Sequence, residues 1–316
     1  MLALIFALVS CKPVEEKSYP HADEPIGSAH QIYDGALTND LAVNTFRNID
    51  RIFPSRKVPR SETPSALPAS DRVLPVVHFT FQDSVYSMDH YIEQNRVAAM
   101  LILKDGKIIH ELYRFGNTGQ TRWMSMSIAK SIVSTLIGTV YRYNTGETQI
   151  AAEVLYHATG RTLSEYLSER IWQPMGAEAD AYWWLDSPAG VEIGGSGFTA
   201  TLRDYGRFGQ FVLNNGVVNG EAILPENWVQ EAGSPKELPD GTEIDYGYLW
   251  WTAETESGRR DGAFSADGIF GQTIYLNPAE NVAIVVWSAW PHPTQSGKFD
   301  FDWSLFEAVV DSLGRE

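Results

Sequence analysis

The stretch Trp123-Met124-Ser125-Met126-Ser127-Ile128-Ala129-Lys130-Ser131, continued by Ile132-Val133-Ser134-Thr135-Leu136-Ile137-Gly138, decides how this chain is read. Its apolar residues at 128, 132, 133, 136 and 137 follow the spacing of a buried helix face. Ser127 and Lys130 are three residues apart, which on a helix sets both side chains on one face. That spacing allows a lysine amine to take the proton of a serine nucleophile, once the ammonium has lost its charge. Burial among apolar neighbours favours the neutral amine. Because Ser-x-x-Lys also occurs by chance in helices, its weight comes from the setting: an apolar helix opening just after a hairpin, with further elements downstream.

Upstream, residues 97–103 and 108–113 are β-rich and joined by Lys104-Asp105-Gly106-Lys107, whose Asp-Gly pair predicts a hairpin. Ser87 is placed to cap a helix reaching about Asn95. Downstream, helical patterns cover residues 148–159, 163–172, 199–215 and 225–232, with a loop-rich interval at 173–198. Strand patterns follow at 247–252, 262–266, 272–277 and 282–288, and a helix over about 299–313 closes the chain. Strands near both ends with helices between them predict an α+β fold. One antiparallel sheet would join the N- and C-terminal strands and be covered by helices. Within 316 residues this domain is expected over 74–316, preceded by an extended arm over 21–73, rich in proline and carrying a short helix around 41–51.

The 40 acidic and 24 basic residues give a net charge of −16, which argues against nucleic acid as a partner. Ten tryptophans and fourteen tyrosines predict a large aromatic core, or beside it an aromatic-lined pocket. The single cysteine, Cys11, ends the apolar run 1–10, which is too short to span a bilayer and reads as part of a secretory signal. Leu8-Val9-Ser10-Cys11 also has the form of a bacterial lipobox, so residues 1–20 are expected to be a lipoprotein signal and tether, with Cys11 lipidated and the protein exported to the periplasm on a membrane anchor. Seven histidines show no metal-ligand grouping, so no metal and no cofactor is expected. Gly194-Gly195-Ser196-Gly197 is followed by Phe198, which breaks the nucleophile-elbow pattern, and reads as a flexible glycine loop. Asp204 and Arg207 share a helix face as a structural ion pair.

Five segments in this order resemble the serine hydrolases related to class C β-lactamases and penicillin-binding proteins, nearest the 6-aminohexanoate-dimer hydrolases and related esterases. They are Ser127-Ile128-Ala129-Lys130, Tyr143-Asn144-Thr145-Gly146-Glu147-Thr148, the run 201–209, Tyr246-Gly247-Tyr248-Leu249-Trp250-Trp251, and Gly268-Ile269-Phe270-Gly271-Gln272. The resemblance runs from about Ile26 to the C-terminus. It implies a β-lactamase/transpeptidase-like fold and hydrolysis of a small amide or ester through an acyl-enzyme. Ser127 would be the nucleophile, Lys130 its proton acceptor, and Tyr143 the group returning a proton to the leaving group. A phenol beside a lysine cation has its pKa lowered toward the working range, which suits that role. The backbone of Ser127 with that of Ala266 or Ile269 would form the oxyanion hole. Thr145, Gly268 and Gln272 would contact substrate.

Two departures stand against the family pattern. Its usual Lys-Thr-Gly is absent from Phe264-Ser265-Ala266-Asp267-Gly268-Ile269, which disfavours recognition of a β-lactam carboxylate. The helical segment that relatives carry between the Ser-x-x-Lys helix and the tyrosine is missing, so a truncated helical subdomain is expected. A helix running from Ser127 to Val140 would climb about 20 Å, while three extended residues return at most roughly 10 Å. Tyr143 then approaches Ser127 only if the helix breaks near Gly138. The alternative reading is a catalytically impaired lipoprotein of the same fold that binds peptide or cell-wall fragments; a weaker one is a cell-wall carboxypeptidase.

Overall fold

Val97–Lys104 is apolar at every position before its terminal lysine, and a strand of that composition has to be covered on both faces. The computed structural model describes residues 19–137, 145–238, 240–294 and 297–314, and shows how that cover is provided. In chain order, the elements that build the site are α1 (Asn39–Arg47), β1 (Ser55–Val58), α2 (Met88–Gln94), β2 (Val97–Lys104), β3 (Lys107–Tyr113), β4 (Arg122–Met124), α3 (Ile128–Ile137) and α4 (Thr145–Thr159). After them come β5 (Ala181–Trp184), β6 (Phe198–Thr201), α5 (Leu202–Leu213), β7 (Tyr246–Gly247), β8 (Trp250–Thr252), β9 (Phe264–Gly268), β10 (Gln272–Asn277), β11 (Val282–Ser288) and α6 (Lys298–Ser312).

The main sheet has seven antiparallel strands in the order β7-β8-β9-β10-β11-β2-β3. The early hairpin and the late strands therefore meet where β11 pairs with β2, from Val282↔Lys104 to Ser288↔Val97. Asp105 and Gly106 both hold positive φ, the geometry that a two-residue hairpin loop requires. Alternate residues point to opposite faces. Leu101, Leu103, Val285, Trp287, Ile274 and Ala266 pack with α3 and α5. Met100, Ile102, Ile284, Val286 and Tyr275 pack with α2 and α6. Each large side chain so buried contributes about 1.5–3 kcal/mol of transfer free energy.

A second, four-stranded antiparallel sheet, β1-β5-β6-β4, is absent from the sequence expectation, which left 173–198 as loop. Its strands are short, and the central pair β5 and β6 is largely buried on both faces, with Trp183, Trp184 and Phe198 almost fully covered, while the edge strand β1 leaves Lys57 exposed. Residues 39–58 contribute Val43, Phe46 and Val58 to the same core, and Phe46 packs edge-on against Trp123 at 5.8 Å. Trp123 stacks on Trp287 at 5.5 Å and 5°, so the small sheet is joined to the main sheet directly beneath residues 125–127. No helix among the described residues is long and apolar enough to cross a membrane.

Candidate active site

Strand β4 delivers the chain to Ser125, and the geometry of the next two residues sets the position of Ser127. Ser125 N–H donates to the Phe198 carbonyl at 2.7 Å, and its hydroxyl donates to the Met126 carbonyl while accepting from Phe198 N–H. Met126 sits at φ 46°, a left-handed conformation that costs a non-glycine residue on the order of 1 kcal/mol and is held here by the bonds on either side. Ser127 therefore lies in a tight turn just before α3, not on its first helical turn as the sequence spacing implied. Its carbonyl accepts from Lys130 N–H at 2.9 Å, and this i→i+3 turn still brings the two side chains together.

Lys130 Nζ lies 2.8 Å from Ser127 Oγ and 2.7 Å from the Gly195 carbonyl oxygen, donating to both in its charged form. The side chain is 2% exposed, and desolvation lowers its pKa from the ordinary lysine value to about 8. Loss of one proton turns the contact with Ser127 around: the neutral amine accepts from the hydroxyl while it still donates to Gly195. A buried amine at hydrogen-bond distance from the hydroxyl, oriented by a fixed carbonyl, is an arrangement able to activate a serine.

Gly195 is the functional group that sequence reasoning missed, because a backbone acceptor has no residue signature. The glycine run read as flexible is pinned from several sides. Gln149 on α4 accepts from Gly194 N–H at 2.9 Å and donates to the Glu192 carbonyl at 3.0 Å. Trp183 Nε1 donates to the Ile193 carbonyl at 3.0 Å. A methyl group on Gly195 would stand 2.7 Å from Thr145 Cγ2, so that glycine is dictated by close packing against α4. Ser131 and Ser134 were also unremarked: their hydroxyls donate to the carbonyls of Leu249 and Tyr248, tying α3 to the turn between β7 and β8.

Helix α3 is described as far as Ile137, and the expected break near Gly138 lies outside the described residues. Tyr143 lies outside the described residues, as does Cys11. Thr145 opens α4 and packs on Gly195, whose carbonyl binds Lys130, so it stands one residue removed from the Ser127–Lys130 pair.

Strand β9 approaches the Ser125–Ser127 turn. β8 pairs with β9 only through Thr252↔Phe264 and Trp251↔Ser265, because Leu249, at φ 59°, turns the chain away. The β9 edge beyond Ser265 is free of β8, and Ala266 packs in the cluster that contains α3. At Gly268 an added methyl would lie 2.6 Å from the Ser125 carbonyl oxygen and 2.4 Å from Gln272 Oε1, so only glycine allows the strand to approach the nucleophile turn. Gln272 is fully buried and its Oε1 accepts from Phe270 N–H, so it buttresses this turn. The Ile269 carbonyl is held by both the N–H and the hydroxyl of Thr294. Asp204 and Arg207 form a buried pair at 2.9 Å, with Asp204 also accepting from the N–H groups of Glu178 and Ala179.

This fold is that of a class of hydrolases, and comparison with known proteins agrees. The chain belongs to the β-lactamase family, whose model matches residues 137–307. It is 30% identical over 165 residues to the 6-aminohexanoate-dimer hydrolase of Paenarthrobacter ureafaciens, a match covering 48% of this chain and 40% of that protein. The chain thus matches well under two thirds of the length of that curated relative. Among solved structures, a Bacillus anthracis protein provisionally assigned as a 6-aminohexanoate-dimer hydrolase superposes with a TM-score of 0.75 at 19% identity, over 85% of this chain and 93% of its own. A family VIII carboxylesterase gives a TM-score of 0.53 at 13% identity, over 70% and 95%. A penicillin-binding protein homologue from Caulobacter crescentus gives 0.54 at 14%, over 71% and 96%.

Proposed function

We propose that the protein is a serine hydrolase that cleaves a small amide or ester through an acyl-enzyme. The observation that carries this reading is the 2.8 Å contact between Ser127 Oγ and a buried lysine whose pKa is near 8. Neutral Lys130 takes the hydroxyl proton as Oγ bonds to the carbonyl carbon. The oxyanion is met by the Ser127 N–H and one N–H from the free 266–269 edge. Tyr143 passes the proton to the leaving amine or alcohol, and water then adds to the acyl carbon and releases the acid. Donors of this kind contribute about 3–4 kcal/mol to the barrier each. Thr145, beside Gly195, and Gly268, packed against the Ser125 carbonyl, are the residues assigned to substrate contact in this reading. An amide reading follows the curated relative, which by its name acts on the 6-aminohexanoate dimer; an ester reading follows the carboxylesterase. The apolar leader ending at Cys11 supports export and lipid anchoring, which radiolabelled palmitate incorporation, lost in Cys11→Ala, would report.

The test is a burst assay with nitrophenyl acetate. A stoichiometric burst, abolished by Ser127→Ala and by Lys130→Ala, is expected; its absence from folded protein refutes the hydrolase reading. The short stretch of sequence between Lys130 and Tyr143 favours the second reading in that case: a binding protein of the same fold that holds peptide or cell-wall fragments.

A further inference from the structure

The loop that orients Lys130 is itself held from the N-terminal arm. Glu192 lies three residues before Gly195, whose carbonyl accepts from Lys130. Its carboxylate is 5% exposed, and Oε1 accepts from Arg56 at 2.7 Å and from Ser164 N–H at 3.1 Å. Arg56 belongs to β1, at the outer edge of the small sheet, and also donates to the Gly190 carbonyl at 3.1 Å. The main chain of the loop is fixed as well. The Glu192 carbonyl accepts from Gln149, and Ile193 N–H donates to the Trp184 carbonyl. The Ile193 carbonyl accepts from the N–H groups of Ser196 and Gly197, so Gly195 stands at the tip of a tight turn. A buried ion pair is thus placed at the base of the turn whose tip binds the amine.

That pair has few substitutes. Glu153 lines the same small cavity as Arg56 and Glu192, and Glu165 is near enough to feel the Arg56 charge. Without Arg56, Glu192 would be a buried carboxylate beside other carboxylates, a group that must gain a proton or move out to water. Either outcome loosens the base of the turn. A carbonyl held in place favours the ammonium over the neutral amine, because a charge-assisted hydrogen bond is about twice as strong as a neutral one. A loosened Gly195 carbonyl should therefore weaken proton binding at Lys130 and let the amine swing away from Ser127 Oγ.

We propose that Glu192 and Arg56 are positioning residues for Lys130: their ion pair fixes the turn whose tip, the Gly195 carbonyl, aims the amine at Ser127. Neither side chain bonds Ser127 or Lys130. The effect on rate rests on the hydrolase reading; the effect on the amine does not.

The test has two arms, both on the full chain. In the first, protein carrying carbon-13 at the lysine side-chain ends is titrated by NMR, with Lys130 assigned by its loss in Lys130→Met. Lys130 of the parent should titrate near pH 8, and in Glu192→Gln and Arg56→Met it should bind its proton at least about threefold more weakly. In the second, the plateau burst rate with nitrophenyl acetate should fall at least about fivefold in both variants, with substrate affinity within about twofold. The double variant should be no more than about twofold slower than either single one, since both break the same contact. Arg56→Lys, which keeps the charge, should recover most of the rate. Asp204→Asn, which breaks a buried pair elsewhere, should move neither reading. Unchanged or stronger proton binding at Lys130 in both variants, losses that multiply in the double variant, or weaker substrate affinity with the rate intact overturns the proposal. If Glu192→Gln does not fold, Arg56→Met, changed at a partly exposed edge-strand position, decides it. A parent with no burst refutes hydrolysis, and the titration then decides the positioning role by itself.

Discussion

The depressed pKa of Lys130 makes a quantitative prediction for both rate and stability. Burial lowers it from 10.5 to about 8, a change that raises the fraction of neutral amine at pH 7 from about one in three thousand to about one in ten, roughly 300-fold. The acylation rate should therefore climb about tenfold per pH unit below 8 and level off above it. The burst rate with nitrophenyl acetate between pH 6 and 9.5, less the rate of Ser127→Ala, measures this. The same shift acts on folding. Below pH 8 the lysine is charged in both states and the folded protein bears the full desolvation cost. Between 8 and 10.5 only the unfolded state keeps the proton, so stability rises with pH across that window, by up to about 3 kcal/mol. Lys130→Met should be inactive, and it should lack the rise in stability that the parent shows between pH 8 and 10.5. A burst rate that is flat from pH 6 to 9, or that still rises past pH 10, would refute the reasoning. So would a Lys130→Met protein whose stability rises between pH 8 and 10.5 as much as the parent's.

Three other substitutions test the supports of the site. Gly268→Ala drives a methyl against the Ser125 carbonyl; the burst rate should fall at least about tenfold, with about 1–3 kcal/mol lost in urea unfolding. Gln149→Leu removes both bonds that pin the Gly195 loop and should cost about 1–3 kcal/mol, with acylation slowed severalfold; an unchanged burst rate would show that Lys130 needs no fixed carbonyl. Asp204→Asn leaves Arg207 buried without its full counter-charge and should cost about 3–5 kcal/mol in thermal or urea unfolding. Because none of its partners bonds Ser127 or Lys130, its burst rate should be unchanged at temperatures where it is folded.

What the sequence could disclose follows from where its signals are local. β10 and β11 have the residue limits that their apolar runs indicate, and the Asp105-Gly106 hairpin and the α5 helix, capped by Thr201 on Asp204 N–H, are local as well. The second sheet was hidden because β4 and β6 are short, lack alternation and find each other across 77 residues, as in the pair Trp123↔Ala200. The pairing of Ser127 with Lys130 was legible in their spacing, but the left-handed Met126 that places Ser127 ahead of the helix was not, since methionine carries no preference for that conformation. The carbonyl of Gly195 and the strand edge freed by Leu249 are backbone features, invisible to a reading by side-chain type.

The central claim is that Ser127 becomes acylated because Lys130 stands beside it uncharged. Peptide mass spectrometry after brief exposure to nitrophenyl acetate at pH 8.5, followed by acid quench, tests it most directly. The account predicts a single acetyl adduct on the peptide containing Ser127, absent from Ser127→Ala and from Lys130→Ala. A folded protein with no adduct there, or with equal labelling in Lys130→Ala, would contradict it.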